Sequence, residues 1–208
     1  MIQHLNQRLH RLPVWAVWLA SAIPLALLIW DTFMGGLGVD PVRDIEHRLG
    51  RTALYFLIAT LCVKPLLRLA RLNLMRFRQA LGLITFAYAA CHLLAWAVFD
   101  MALLWPQMLK DVVKRPYLIF GMIAILMLLA LALTSNRYSI RRMGANWRHL
   151  HRLIYPAAIL AAVHWLWALK VWESKPLSLL FAILFLLFLR FPGAFGFVGR
   201  LLGWRRAG

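Results

Sequence analysis

Acidic side chains are scarce in this chain: seven Asp and Glu in 208 residues, against 24 Lys and Arg. Cysteine is scarcer still, with only Cys62 and Cys91, both inside apolar runs. A small disulfide scaffold is thereby excluded, and no structural disulfide is expected. Charged residues make up 15% of the chain and hydrophobic ones 63%, where a soluble domain has about a quarter and about half. The same figures exclude a disordered tail. There is no internal repeat and no low-complexity segment. What remains is an oily chain, with mean hydropathy +0.72, that carries a net charge of +17. Two classes combine those properties: a nucleic-acid binder with an apolar tail, and a membrane protein with basic loops.

The position of the charges separates the two. Charge-free runs cover 12–30, 52–63, 79–99, 116–136, 153–169 and 176–189, with lengths of 19, 12, 21, 21, 17 and 14 residues. A bilayer core of about 30 Å needs about 20 helical residues. The shorter runs reach that length if Lys64 and Arg190 snorkel. The expectation is therefore an all-α integral membrane protein, a single domain over 1–208 built as a six-helix transmembrane bundle. Its spans fall near 12–31, 51–69, 79–99, 117–135, 150–170 and 176–192. With six spans both termini share one side, and that side collects 16 Lys and Arg and no acidic residue. The other side holds eight basic residues and all seven acidic ones. The positive-inside rule then places both termini in the cytoplasm. Basic residues that flank every second span form no nucleic-acid-binding arm, so no nucleic-acid partner is expected. Trp30, Trp105 and Trp172 at outer ends, with Trp147 and Trp204 at inner ones, read as interfacial belts. Ala20-Ser21-Ala22 mimics a signal-peptidase site, but the apolar run continues to Trp30, so an uncleaved first helix is expected.

Ionisable groups within spans are functional candidates. Of seven histidines, His4 and His10 read as solvated, His47 as a surface residue of the outer loop and His149 as interfacial. His92 lies about 13 residues, roughly 20 Å, above the inner end of the third span. His164 lies about 14 residues above the start of the fifth, which runs in the same direction, so the two imidazoles share a depth in the outer half. His151 sits near the inner face. Neither span offers a further His, Asp or Glu one turn away, which leaves a zinc cage short of ligands. Bis-histidine ligation of a haem needs only the pair. Ala89, Ala95, Ala161 and Ala168 leave room for a flat macrocycle or for close helix packing, with Tyr88, Trp96 and Trp167 as larger walls.

The run Trp147-Arg148-His149-Leu150-His151, followed by His164, resembles the ferric-reductase-like transmembrane haem family. Gly35-Gly36-Leu37-Gly38-Val39-Asp40-Pro41, Gly50-Arg51-Thr52-Ala53-Leu54 and Arg115-Pro116-Tyr117-Leu118 narrow the resemblance, over nearly the whole chain. They point to the membrane haem subunits of bacterial periplasmic methionine-sulfoxide reductase systems. The resemblance implies haem b, an associated FMN, a bacterial inner-membrane location and electron delivery to a periplasmic molybdopterin-dependent reductase subunit. It makes His92, His151 and His164 the haem-ligand candidates. At the depth where a partner for His151 would complete a second bis-histidine site, the third span has Arg78 and Gln79. A single axial ligand, a flavin contact and a propionate partner remain open roles for His151. Thirteen residues at about 100° each also put His151 and His164 about 220° apart on an ideal helix, unless Pro156 rephases it.

Arg148 and Arg152 are the expected partners for propionate or phosphate near the inner face, and Arg51 for a propionate near the outer one. Only 18 residues follow Arg190, so reducing equivalents are expected from a cytoplasmic flavin reductase or from quinol. Substrate conversion is then assigned to the partner subunit, with the acidic outer loop 31–50 as its docking surface. A different class also accommodates the histidines: a small membrane transporter or assembly factor that uses them for metal binding or proton relay.

Overall fold

The computed structural model describes residues 2–169, 174–191, 193 and 194. The described residues form helices and connecting turns without a strand. Lys170, Trp172, Glu173, Arg200, Trp204, Arg205 and Arg206, to which the charge and belt arguments assigned sides, lie outside them.

An amphipathic helix α1 (Ile2–Arg11) precedes α2 (Val14–Met34), most of whose apolar side chains are exposed while Leu28 is buried against the bundle. Gly35 ends α2 in the left-handed conformation, φ 71°, which a residue without Cβ adopts freely. Helix α3 (Pro41–Leu69) starts ten residues before the expected span, because Asp40 caps it, accepting from the Arg43 amide at 3.2 Å, and Pro41 fits its first turn. The charge-free criterion missed this charged first part. Arg48 locks the loop onto α3 through the Asp31 carboxylate, Asp44 at 2.9 Å and the Gly36 carbonyl at 3.3 Å.

Helix α4 (Arg78–Ala95) follows a 3-10 turn at Met75–Phe77 and ends in a π-turn at Trp96–Asp100. Helix α5 (Trp105–Lys114), in a stretch that carried no expected element, has no buried residue. Its Trp105, Leu109 and Val113 form an exposed apolar stripe at helical spacing, as in a helix lying in a membrane interface. Helix α6 (Pro116–Leu133) descends to the short α7 (Arg137–Met143) and α8 (Ala145–Leu150), then a 3-10 turn at His151–Leu153. Helix α9 (Ile154–Ala168) and helix α10 (Ser174–Phe188) complete the bundle. The expected fifth span is thus broken before Pro156, which has no N–H to offer the Arg152 carbonyl, and the 3-10 turn rephases the chain there.

Four segments are long and apolar enough to cross a membrane: Val14–Met34, Pro41–Leu69, Met75–Asp100 and Pro116–Leu133. With 15 residues each, α9 and α10 fall short of the roughly 20 that a span requires. The chain is a multi-pass helical membrane protein. The most extensive packing joins α3 to α4 and α6 to α9. Leu54, Leu57, Leu61, Leu128, Leu131, Ala157, Ala158 and Ile183 fill the centre. Fully buried Ala157 and Ala158 let α9 approach its neighbours closely. All ion pairs among the described residues lie at the end bearing Asp31 and Asp111, called here the upper end. At the lower end Arg190 turns to neutral acceptors, donating to the Leu61 carbonyl at 2.8 Å and to the Tyr155 hydroxyl at 3.2 Å. Both cysteines are free.

Candidate functional site

Two antiparallel pairs build the site. His92 stands near the upper end of α4, His164 near the upper end of α9, and each leans on its partner helix. The His92 Nδ1–H donates to the Glu46 carbonyl of α3 at 2.9 Å. The His164 Nδ1–H donates to the Tyr117 carbonyl of α6 at 2.8 Å. A carbonyl only accepts, so both rings hold the tautomer that leaves Nε2 with a free lone pair. The ring centroids are 6.2 Å apart and the planes cross at 69°. Metal–imidazole bonds of about 2 Å, with each centroid about 1.1 Å behind its nitrogen, put two rings ligating one metal in line at about 6 Å. The observed separation fits one metal ion between the two rings.

The rings border a cavity of about 790 Å³, within the roughly 300–1,000 Å³ of cofactor sites. Its deep walls are apolar, with Leu57, Ala89, Ala124, Leu128 and Ala161. Trp96, Trp167 and Ala168 line it too, as the sequence pattern suggested. Tyr88 and Ala95 do not, which corrects the reading of Tyr88 as a wall and of Ala95 as room for the macrocycle. A buried tyrosine needs a partner for its hydroxyl, and Tyr88 finds it in the Ser21 carbonyl of α2, stacking on Phe56 on the way. Ala95 is buried in that same neighbouring cluster.

The mouth of the cavity is charged, with Asp40, Arg43, Glu46, Arg51, Asp100 and Arg115. Arg51 lies where an outer propionate partner was expected and is oriented by its bond to the His47 carbonyl at 3.2 Å. Arg43 and Arg115 are further cations there that the sequence reading did not single out. Arg115 is held above its ordinary value, chiefly by its hydrogen bond to the Tyr117 hydroxyl. His47, read as a surface residue, lines this mouth as well. Glu46 Oε1 is buried and has no hydrogen-bond partner among the described residues.

His151 lies apart from this pair, against a lower cavity of about 220 Å³ bounded by Arg78, Gln79, Ser135 and Trp147. Its Nδ1 pairs with the Trp147 carbonyl at 3.2 Å and its Nε2 with the Ser135 hydroxyl at 3.4 Å. The Trp147 ring stacks on it at 3.9 Å and donates to the Thr134 carbonyl at 2.9 Å, so Trp147 is a packing partner of His151 as well as an interfacial ring. Arg148 and Arg152 are exposed and line neither cavity. Arg78 lines the lower one instead, a role its place in the sequence signalled only by standing where a histidine was sought.

Fold and site together define a membrane helix bundle that places two imidazoles side by side at a cavity with apolar deep walls and a charged mouth. Residues 49–162 match the family model described as ferric reductase like transmembrane component. Over 178 residues the chain is 43% identical to the protein-methionine-sulfoxide reductase heme-binding subunit MsrQ of Yersinia pseudotuberculosis, covering 85% of this chain and 88% of that one. Over 165 residues it is 41% identical to the protein of the same name from Brucella anthropi, covering 78% and 75%. No solved structure matches the chain. The chain therefore belongs to the ferric-reductase-like transmembrane family and, within it, to the MsrQ family.

Proposed function

We propose that this chain is the haem b-carrying electron-transfer subunit of a methionine-sulfoxide reductase system. The observation that carries the reading is the pair of imidazoles 6.2 Å apart over a cavity of cofactor size. His92 and His164 would hold the haem iron through their Nε2 atoms, and Arg51 would offer a charge-assisted bond to a propionate at the mouth. The haem, when bound, supplies reversible one-electron uptake and release. The protein's own part is to hold both Nε2 atoms unprotonated, to fix the rings through the Glu46 and Tyr117 carbonyls, and to keep water from the deep wall with Leu57 and Leu128. Such outer-shell bonds orient the ligands and raise their basicity.

In the proposed topology α9 and α10 complete six spans, both termini are cytoplasmic and the upper end faces the periplasm of a bacterial inner membrane. The charged upper mouth and the loop 31–50 would then meet a periplasmic molybdopterin-dependent subunit that converts the substrate. A cytoplasmic flavin reductase or quinol would deliver electrons from below. FMN does not fit the lower cavity: 220 Å³ is below the roughly 300 Å³ where cofactor sites begin. No step is therefore routed through FMN. The purified protein should be red, with a Soret band that shifts on reduction by dithionite. His92→Ala and His164→Ala should each remove the same haem signal, and His151→Ala should leave it in place. A colourless protein from haem-replete cells refutes the proposal.

A further inference from the structure

The two histidine holders share one construction. The carbonyl that accepts from His92 belongs to Glu46, and the one that accepts from His164 belongs to Tyr117. Four residues after each stands a glycine, Gly50 on α3 and Gly121 on α6. In helical register the amide of that glycine is the one that bonds the same carbonyl. Each carbonyl thus has two donors, its own helix and an imidazole, and the imidazole lies over the glycine. A Cβ at Gly121 would stand 2.8 Å from His164 Nδ1 and 2.9 Å from Cε1, closer than side chains approach. A Cβ at Gly50 would stand 3.3 Å from both Cε1 and Nδ1 of His92, tight but within reach of a small adjustment. Neither glycine has a positive φ, so backbone conformation does not demand them. The approach of the ring does.

We propose that Gly50 and Gly121 are positioning residues that hold the His92 and His164 imidazoles against their carbonyls and thereby tune the electron affinity of the bound metal. The inference rests on the haem reading above. An imidazole whose Nδ1–H is engaged by a carbonyl is a more basic ligand and favours the oxidised metal. Moving the ring off its carbonyl weakens that bond and shifts the balance toward the reduced form. The grading is set by the distances: Gly121→Ala must displace His164, whereas Gly50→Ala displaces His92 by a few tenths of an ångström.

The test is a potentiometric titration with low-temperature EPR on the purified holoprotein, wild type against Gly50→Ala and Gly121→Ala. At a fixed potential the ratio of reduced to oxidised metal should rise in both variants. The rise should be the larger in Gly121→Ala, up to about tenfold, equal to about 59 mV for one electron. The low-spin EPR signal should change with it, because ring orientation changes. If Gly121→Ala does not accumulate as folded protein, Gly50→Ala decides alone. Unchanged midpoint and EPR signal in the folded variants, or a larger effect in Gly50→Ala than in Gly121→Ala, overturn the inference. A wild-type protein without haem overturns the functional reading, and the inference falls with it.

Discussion

Deleting the imidazole of His164 should leave a vacancy that selects its own refill. In a His164→Gly variant the ring is gone, but Gly121 still leaves the space open and the Tyr117 carbonyl still points into it, 2.8 Å from where Nδ1 was. Free imidazole can enter, turn one nitrogen toward the metal and donate its N–H to that carbonyl. 1-Methylimidazole has the same ligating nitrogen, but a methyl group replaces the N–H. It loses a hydrogen bond worth about 0.5–1.5 kcal/mol net, which is a factor of about two to thirteen in affinity. The methyl carbon must also sit farther from the oxygen than 2.8 Å, so the ligand is pushed out of line and the upper figure is the expected one. The assay is titration of the variant with each ligand in the presence of added haem, read as appearance of the six-coordinate low-spin Soret and α bands that the variant alone lacks. Imidazole should restore the bands at about a tenth of the 1-methylimidazole concentration. Equal or better rescue by 1-methylimidazole refutes the claim that the Tyr117 carbonyl orients this ligand.

Two further outcomes follow from the fold. In right-side-out spheroplasts, Lys110→Cys on the solvent side of α5 should react with an impermeant maleimide, while Ser139→Cys on α7 should react only after the membrane is opened; the reverse pattern inverts the proposed topology. Arg48→Ala should lower the unfolding free energy in detergent by about 0.2–1 kcal/mol, because its ion pairs are about a third exposed (32% for the Arg48 and Asp31 side chains) and screened accordingly. High salt should shrink the difference between Arg48→Ala and wild type.

The depth of the site was legible in the sequence because membrane topology reduces placement to counting. Once charge fixed which way the third and fifth spans run, residue numbers alone set His92 and His164 at one height, and the rings do lie side by side. The same counting failed wherever charge and helix do not exclude each other. The first ten residues of α3 are helical and charged, held by an Asp-Pro start. Helix α5 is charged on one side and apolar on the other, so it interrupts the charge-free runs without being a loop. Arg148 and Arg152 sit near His151 in the chain, yet both are exposed and neither lines its cavity; Arg152, next in sequence, is turned about 100° away. Arg78, distant in sequence, comes from the facing helix instead. Gly50 and Tyr117 lay within quoted motifs, and Gly121 is the sole glycine of the run 116–136. Their common purpose shows only when the carbonyl and the glycine are counted as four apart.

The pairing of α3 with α4 and of α6 with α9 has a bearing on how the protein is made. Each pair is a hairpin whose turn lies at the lower end, and each carries one imidazole at its open tip. Neither hairpin owns a complete site; the site exists only at the seam where the tips meet. A group bound there works as a clasp, adding its binding free energy to the closed arrangement and none to the parted one. With haem bound at the seam as proposed, loading the cofactor and closing the upper half of the bundle become one event, and a chain starved of haem should be loosest at its charged mouth.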